Sequence, residues 1–238
     1  MSDHTVGAFD RELDELRRRI AEMGSIARRM ASDAMDALSS RDSLLALSVA
    51  DSDSELAALQ REVERQATLE IARRQPVARD LRDIIGAMRI AGDLERIGDL
   101  ARNVAEGATK IGPGMAPTGA ALALRRMNDA ASSMLTEVLD AYAERDATRA
   151  QMVWSRDAEL DVLGDSLYRD LLTHMMEKPR AIKTGVQLMF CSKNVGRIGE
   201  HAANIAETVY YVVTGGATTA VGPEGRAEAN PPRTSAPT

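Results

Sequence analysis

Two pieces of this chain occur twice, and the repetition fixes the architecture. Arg41-Asp42 returns 104 positions later as Arg145-Asp146, and Arg96-Ile97-Gly98-Asp99 returns 101 positions later as Arg197-Ile198-Gly199-Glu200. The three-residue difference falls in the loop before Pro76 or before Pro179. A repeat of this kind marks one structural unit used twice. Within the first unit apolar residues recur at three and four. Phe9, Leu13, Leu16, Ile20, Met23, Ala27 and Met30 form one stripe, Leu56, Leu59, Val63 and Ala67 a second, and Ile84, Ala87, Met88, Ala91, Leu94 and Ile97 a third. That spacing is one face of an α-helix. Proline is tolerated in a helix's first turn but costs about 3 kcal/mol inside, so Pro76, Pro113, Pro117 and Pro179 mark helix boundaries.

The expected helices are 9–39, 42–74, 76–110, 118–144, 147–176 and 179–213, with Asp42 and Asp146 as N-caps at the two equivalent turns. Short connections make consecutive helices antiparallel. The expected fold is therefore all-α, with two tandem pseudo-symmetric three-helix bundles, each up-down-up. They cover residues 1–112 and 118–214, with a linker at 113–117 and a Pro- and Gly-rich tail, 215–238, expected to be disordered. Composition agrees, since aromatic residues make up 3% of the 238 and an all-β fold lacks its vocabulary. A net charge of −6 without a basic block argues against nucleic-acid binding. The single cysteine, Cys191, cannot form an intrachain disulfide and reads as core packing in a reducing compartment. The first twenty residues lack the apolar run of a secretory signal, so a soluble, cytoplasmic protein is expected.

The third helix of each unit carries the chemistry. Glu95, Asp99, Asn103 and Glu106 fall within a sector of about 80° on a helix, an oxygen-rich stripe. Carboxylates at i and i+4 repel, and Gly98 between them weakens the helix further, so something should compensate. A hard cation would, because such ions prefer oxygen ligands. On the second unit's middle helix Asp157, Asp161 and Asp165 follow at four-residue steps. The other reading is a solvated acidic surface helped by Arg96, Arg102 and Arg156.

Three segments resemble the PhoU family of bacterial phosphate regulators. They are Gln75-Pro76-Val77-Ala78-Arg79-Asp80-Leu81-Arg82, Asp93-Leu94-Glu95-Arg96-Ile97-Gly98-Asp99, and the echo from Arg197 to Glu207. The resemblance covers about residues 5 to 214. It implies a non-enzymatic negative regulator of the phosphate-starvation response. Such a protein couples the ATPase subunit of the phosphate ABC transporter to the phosphate-sensing histidine kinase. It would meet membranes only through those partners, and a homodimer is expected. The family is similar in using acid pairs on the second and third helices to hold iron or other metals, so iron, zinc, magnesium or manganese is expected here. The resemblance assigns Asp53, Glu95 and Asp99 to one metal site, which Glu106 of the stripe extends, and Asp157, Asp161 and Glu200 to the other, where Asn204 and Glu207 would compensate for a missing acid. Both sites depart from the pattern: Ala57 replaces the second acid of the first pair, and Gly196 replaces an acid in the second unit. Asp80, Arg82, Arg96 and Arg197 are the expected partner-binding residues. The alternative is a metal-sequestering or metal-dependent bundle acting on phosphate compounds.

His201 borders the second stripe and reads either as a packing histidine or as a further ligand. No Glu-x-x-His of a di-iron bundle and no phosphate-binding Gly-x-x-x-x-Gly-Lys-Ser/Thr loop occurs. Gly86, Gly92 and Gly98 could admit close helix approach, and the methionines read as core filler.

Overall fold

The computed structural model describes residues 3–111 and 118–216, with the side chains of 3–8 and 118 excepted. The expected linker at 113–117 and most of the expected tail lie outside the described residues. The helices are α1 (Asp3–Ser40), α2 (Ser43–Arg74), α3 (Ala78–Lys110), α4 (Thr118–Glu144), α5 (Ala147–Trp154), α6 (Asp157–Glu177) and α7 (Ile182–Thr214). A 3-10 turn, Pro179–Ala181, precedes α7.

The two repeated turns are built alike. Arg41 and Arg145 both adopt left-handed backbone, with φ of 58° and 56°. Each is followed by an aspartate whose carboxylate caps the next helix. Asp42 accepts from the backbone N–H groups of Leu44 and Leu45, and Asp146 from those of Thr148 and Arg149, all at 2.9–3.1 Å.

Side-chain contacts give the directions. Glu12 pairs with Arg74 and Arg19 with Glu62, so α1 and α2 run antiparallel. Arg17 meets Asp83 while Met30 lies against Gly98, so α1 and α3 run parallel. The first three helices are therefore up-down-up. In the second unit Met175 lies against Gly185 and Leu160 against Gly199, which makes α6 and α7 antiparallel. The halves meet through α3 and α7, where Val212 covers Gly86 and Cys191 covers Gly107, and through α1 and α4, where Leu139 covers Gly24. One continuous core runs through both, from Leu13 and Ile20 through Leu94 and Ile97 to Leu124, Ile198 and Val209.

The equivalence extends to packing. Leu56 seats over Gly98, and Leu160, its repeat partner, seats over Gly199. A methyl group at either glycine would collide with the leucine above it, so these glycines let the middle helix close on the third. Gly92 has open space around it and makes no such approach.

One expected helix is two. The segment 147–176 breaks at Ser155 and Arg156, between α5 and α6. The Ser155 hydroxyl donates to the Met152 carbonyl at 2.7 Å, and the Arg156 N–H bonds back three residues to Val153. Such side-chain competition bends helices. The Arg156 guanidinium then reaches Glu137 of α4 at 2.7 Å, which ties the bend to the bundle. Helix α3 starts at Ala78, because Gln75 adopts left-handed backbone as the C-cap of α2 and Val77 is extended. Several methionines fill the core as expected, but Met152 and Met176 are exposed.

Candidate functional site

Closure of Leu56 over Gly98 brings Asp53 of α2 beside the acidic stripe of α3. Arg102 lies three residues past Asp99 and four before Glu106, within reach of both on one helix face. Its Nη2 donates to Asp99 Oδ1 at 3.1 Å, its Nη1 donates to Glu106 Oε1 at 3.0 Å, and its Nε stands 2.9 Å from Asp53 Oδ2. The contact to Asp53 is an ion pair without in-line hydrogen-bond geometry. One guanidinium thus serves three carboxylates from two helices. Glu95 stands at the edge of this cluster, with Arg96 Nε 3.8 Å away. Arg96 also approaches Asp99 at 3.5 Å, and its own side chain is largely exposed.

The charges do not balance fully. Burial, with the Asp99 carboxylate next in importance, raises the Asp53 carboxyl above its ordinary value, and Arg102 offsets only part of that. Burial and Asp99 likewise raise Glu95. A hard cation needs several oxygens at about 2.0–2.6 Å. Here the oxygens of Asp53, Asp99 and Glu106 turn toward Arg102. Among the described residues no group of three or more His, Cys, Asp or Glu side chains is arranged to hold a metal ion. As placed, the first cluster fits a guanidinium, not a metal.

The second unit differs. Where the repeat puts Glu95, α7 has Gly196, and nothing lies within 4 Å of where its side chain would start. With Gly164 facing it from α6, this opens a groove of about 730 Å³. Leu160, Leu171 and Met127 lie at its base, and Asp161, Asp165, Lys193, Arg197 and Glu200 line it. Asn204 and Glu207 do not line this groove with Asp161. They line a separate cleft of about 580 Å³ between α3 and α7, with Arg89, Asp93, Arg96 and Tyr211. There the Arg89 guanidinium lies over the Tyr211 ring, 5.6 Å from its centre.

His201 is a packing histidine in its contacts: its Nδ1 lies 2.9 Å from Asp93 Oδ1, which joins α7 to α3. Cys191 is fully buried and its thiol is pushed up to about 11 by that burial, so it is no nucleophile. Asp80 sits in the first turn of α3, where its charge favours the helix dipole. Arg82 packs against Gly215, the C-cap of α7, with its cation at the negative end of that helix. Sequence reasoning overlooked Asp83. This buried carboxylate takes two hydrogen bonds from Arg145, at 2.8 and 3.0 Å, and one from Arg17 at 3.0 Å. It fastens the α4–α5 turn of one half to α1 and α3 of the other. Its only signal was polarity one turn before Ala87, at the head of the apolar stripe that begins at Ile84.

The double bundle and its acidic stripes define the class of fold and site. The family model described as the PhoU domain matches twice, over residues 20–108 and 124–209. A phosphate-specific transport system accessory protein PhoU homolog of Rhizobium meliloti is 46% identical over 212 residues, covering 89% of this chain and 90% of the relative. One from Caulobacter vibrioides is 40% identical over 215 residues, covering 90% and 94%. The crystal structure of PhoU from Pseudomonas aeruginosa superposes with a TM-score of 0.84 at 37% identity, over 87% of this chain and all of that one. PhoU from Streptococcus pneumoniae, titled a phosphate transport system regulatory protein, gives 0.82 at 27% identity over 88% and 98%. This chain belongs to the PhoU family. Its class is that of an accessory regulator, not an enzyme. No described helix is long and apolar enough to cross a membrane.

Proposed function

We propose that this chain is a cytoplasmic accessory protein of phosphate transport. It restrains the phosphate-starvation response by contacting the ATPase subunit of the phosphate transporter and the phosphate-sensing histidine kinase. It works as a homodimer and reaches the membrane only through these partners. The observation that supports this reading is the double match to the PhoU domain, with relatives of 46% and 40% identity named as accessory proteins of the phosphate-specific transport system. The acidic stripe, partly neutralised from within by Arg102, suits a rigid frame that presents surfaces to partners. Regulation then follows from the bundle arrangement each partner favours. Deletion of the gene tests the role. The expected result is phosphate-regulon expression that stays high in abundant phosphate, with restoration by the wild-type chain. Unchanged repression in the deletion strain would overturn it. Pulldown of the transporter ATPase and of the kinase tests the contacts separately.

A second reading has one observation in its favour. Burial first, and the Asp99 carboxylate next, raise both Asp53 and Glu95, so part of the repulsion among these acids persists. Iron, zinc, magnesium or manganese could complete that relief if Arg102 swung away. Elemental analysis of protein purified without added metal decides this. More than about half a metal per chain, lost in a Glu95→Ala and Asp99→Ala double variant, supports a resident ion. Less than about a tenth per chain removes it.

A further inference from the structure

The α6–α7 face carries a pattern that the rest of the molecule does not use. The packing of Met175 on Gly185 and of Leu160 on Gly199 sets the antiparallel register of these helices. In that register Tyr168 stands level with Phe190, Leu172 with Val186, and Met176 with Ile182. All six side chains are exposed, from 43% for Leu172 to 78% for Met176. Scattered exposed apolar residues need no explanation, but three consecutive matched pairs on adjoining helices form a patch. Continuing along the same two helices, Asp165 stands level with Lys193 and Asp161 with Arg197, where both walls line the groove. None of these four charges makes an ion pair or hydrogen bond among the described residues, whereas the carboxylates of the first unit are tied to Arg102. The α6 wall is thus acidic, the α7 wall carries two cations with Glu200 beyond them, and both end in apolar side chains.

We infer that this face is the interface between two copies of the chain, related by a twofold axis in the plane of the face and along the groove. The inference rests on the homodimer reading above and adds its surface. Such an axis keeps every residue at its own level and exchanges the walls. It lays α6 of each copy over α7 of the other, antiparallel. Asp161 and Asp165 of one copy then meet Arg197 and Lys193 of the next, and apolar pairs meet apolar pairs. A surface that complements itself in this way is what an isologous dimer requires. The chain's own tail is a poor occupant. Residues 217–238 contain one large apolar residue, Val221, against six side chains to be covered.

Sedimentation of the full-length chain from about 1 to 100 µM tests this. A dimer is expected, and Phe190→Asp should raise its dissociation constant at least tenfold, as for a central apolar contact (roughly 1.4 kcal/mol or more). Lys193→Asp should weaken it about tenfold, and adding Asp165→Lys to the same chain should restore it to within about threefold. All three positions are solvent-exposed, and an unchanged helical circular dichroism spectrum confirms that each variant folds. A dimer unmoved by Phe190→Asp, or charge reversals that fail to compensate, would overturn the surface while leaving the homodimer standing. A monomer at every concentration would overturn both and leave the face to another protein's helix.

Discussion

At the levels where the α6–α7 face carries Tyr168, Leu172 and Phe190, the α2–α3 face carries Glu64, Thr68 and Arg89. Beneath them the two faces rest on one frame, with a leucine over a glycine at the same repeat position. Higher up, Glu95 in one half becomes Gly196 in the other, and an arginine-tied carboxylate cluster gives way to an open groove. Packing between helices tolerates little change in volume, whereas an exposed position tolerates almost any residue. The halves therefore kept their interior geometry and diverged in what they present.

The largest effect should come from the shared frame. Leu56→Ala and Leu160→Ala are each expected to cost about 3 kcal/mol, as buried leucine truncations do. Urea denaturation measures both, and values differing by more than about 1 kcal/mol would break the equivalence of the two sites. Next comes the repeated turn, where, among the described residues, Arg145 has a buried partner and Arg41 has none. Arg145→Ala strips Asp83 of its bidentate partner and should cost about 2 kcal/mol, while Arg41→Ala, at the exposed counterpart, should stay within about 0.5 kcal/mol. Thermal denaturation of the two variants side by side checks this, and equal losses would refute the asymmetry.

A smaller effect separates the acidic faces by pH. The folded-state carboxyls of Asp53 and Glu95 lie above their ordinary values of 3.8 and 4.5, so the folded chain holds their protons longer than the unfolded chain. Their contribution to stability therefore falls as pH rises from below those ordinary values through the raised ones. Arg102→Gln removes the cation that limits this fall. Its cost should be about 1 kcal/mol at pH 7, after discounting for solvent screening, and should shrink toward zero near pH 4. Denaturation at both pH values tests it, and a cost independent of pH would show that Arg102 acts by packing alone. Arg197→Gln in the groove should be smallest, within about 0.5 kcal/mol for the monomer at either pH, since nothing among the described residues pairs with it.

Much of this was legible in the residues. Periodicity, proline positions and the repeat located the helices, because each depends on local spacing. The bend at Ser155 was not legible, because it depends on a hydroxyl competing for a backbone carbonyl and on Glu137 waiting in α4. The acidic stripe of α3 was visible as a stripe. Sequence spacing allowed Arg102 to pair with Asp99 and Glu106 on one helix, but the approach of Asp53 depends on how closely α2 packs. Asn204 and Glu207 share a helical face with Glu200 and still line another cleft, because the neighbour they meet is α3. Asp83 shows the same limit: its partners come from α1 and the α4–α5 turn, 66 and 62 residues away in sequence.

The most direct test is a high-resolution crystal structure of the chain purified without chelator, with anomalous data collected to detect transition metals. The Arg102 guanidinium should lie between Asp53, Asp99 and Glu106, near the 2.9–3.1 Å separations found here, with no metal peak beside Glu95. A metal ion ligated by Asp53, Glu95 and Asp99, with Arg102 turned out to solvent, would contradict it.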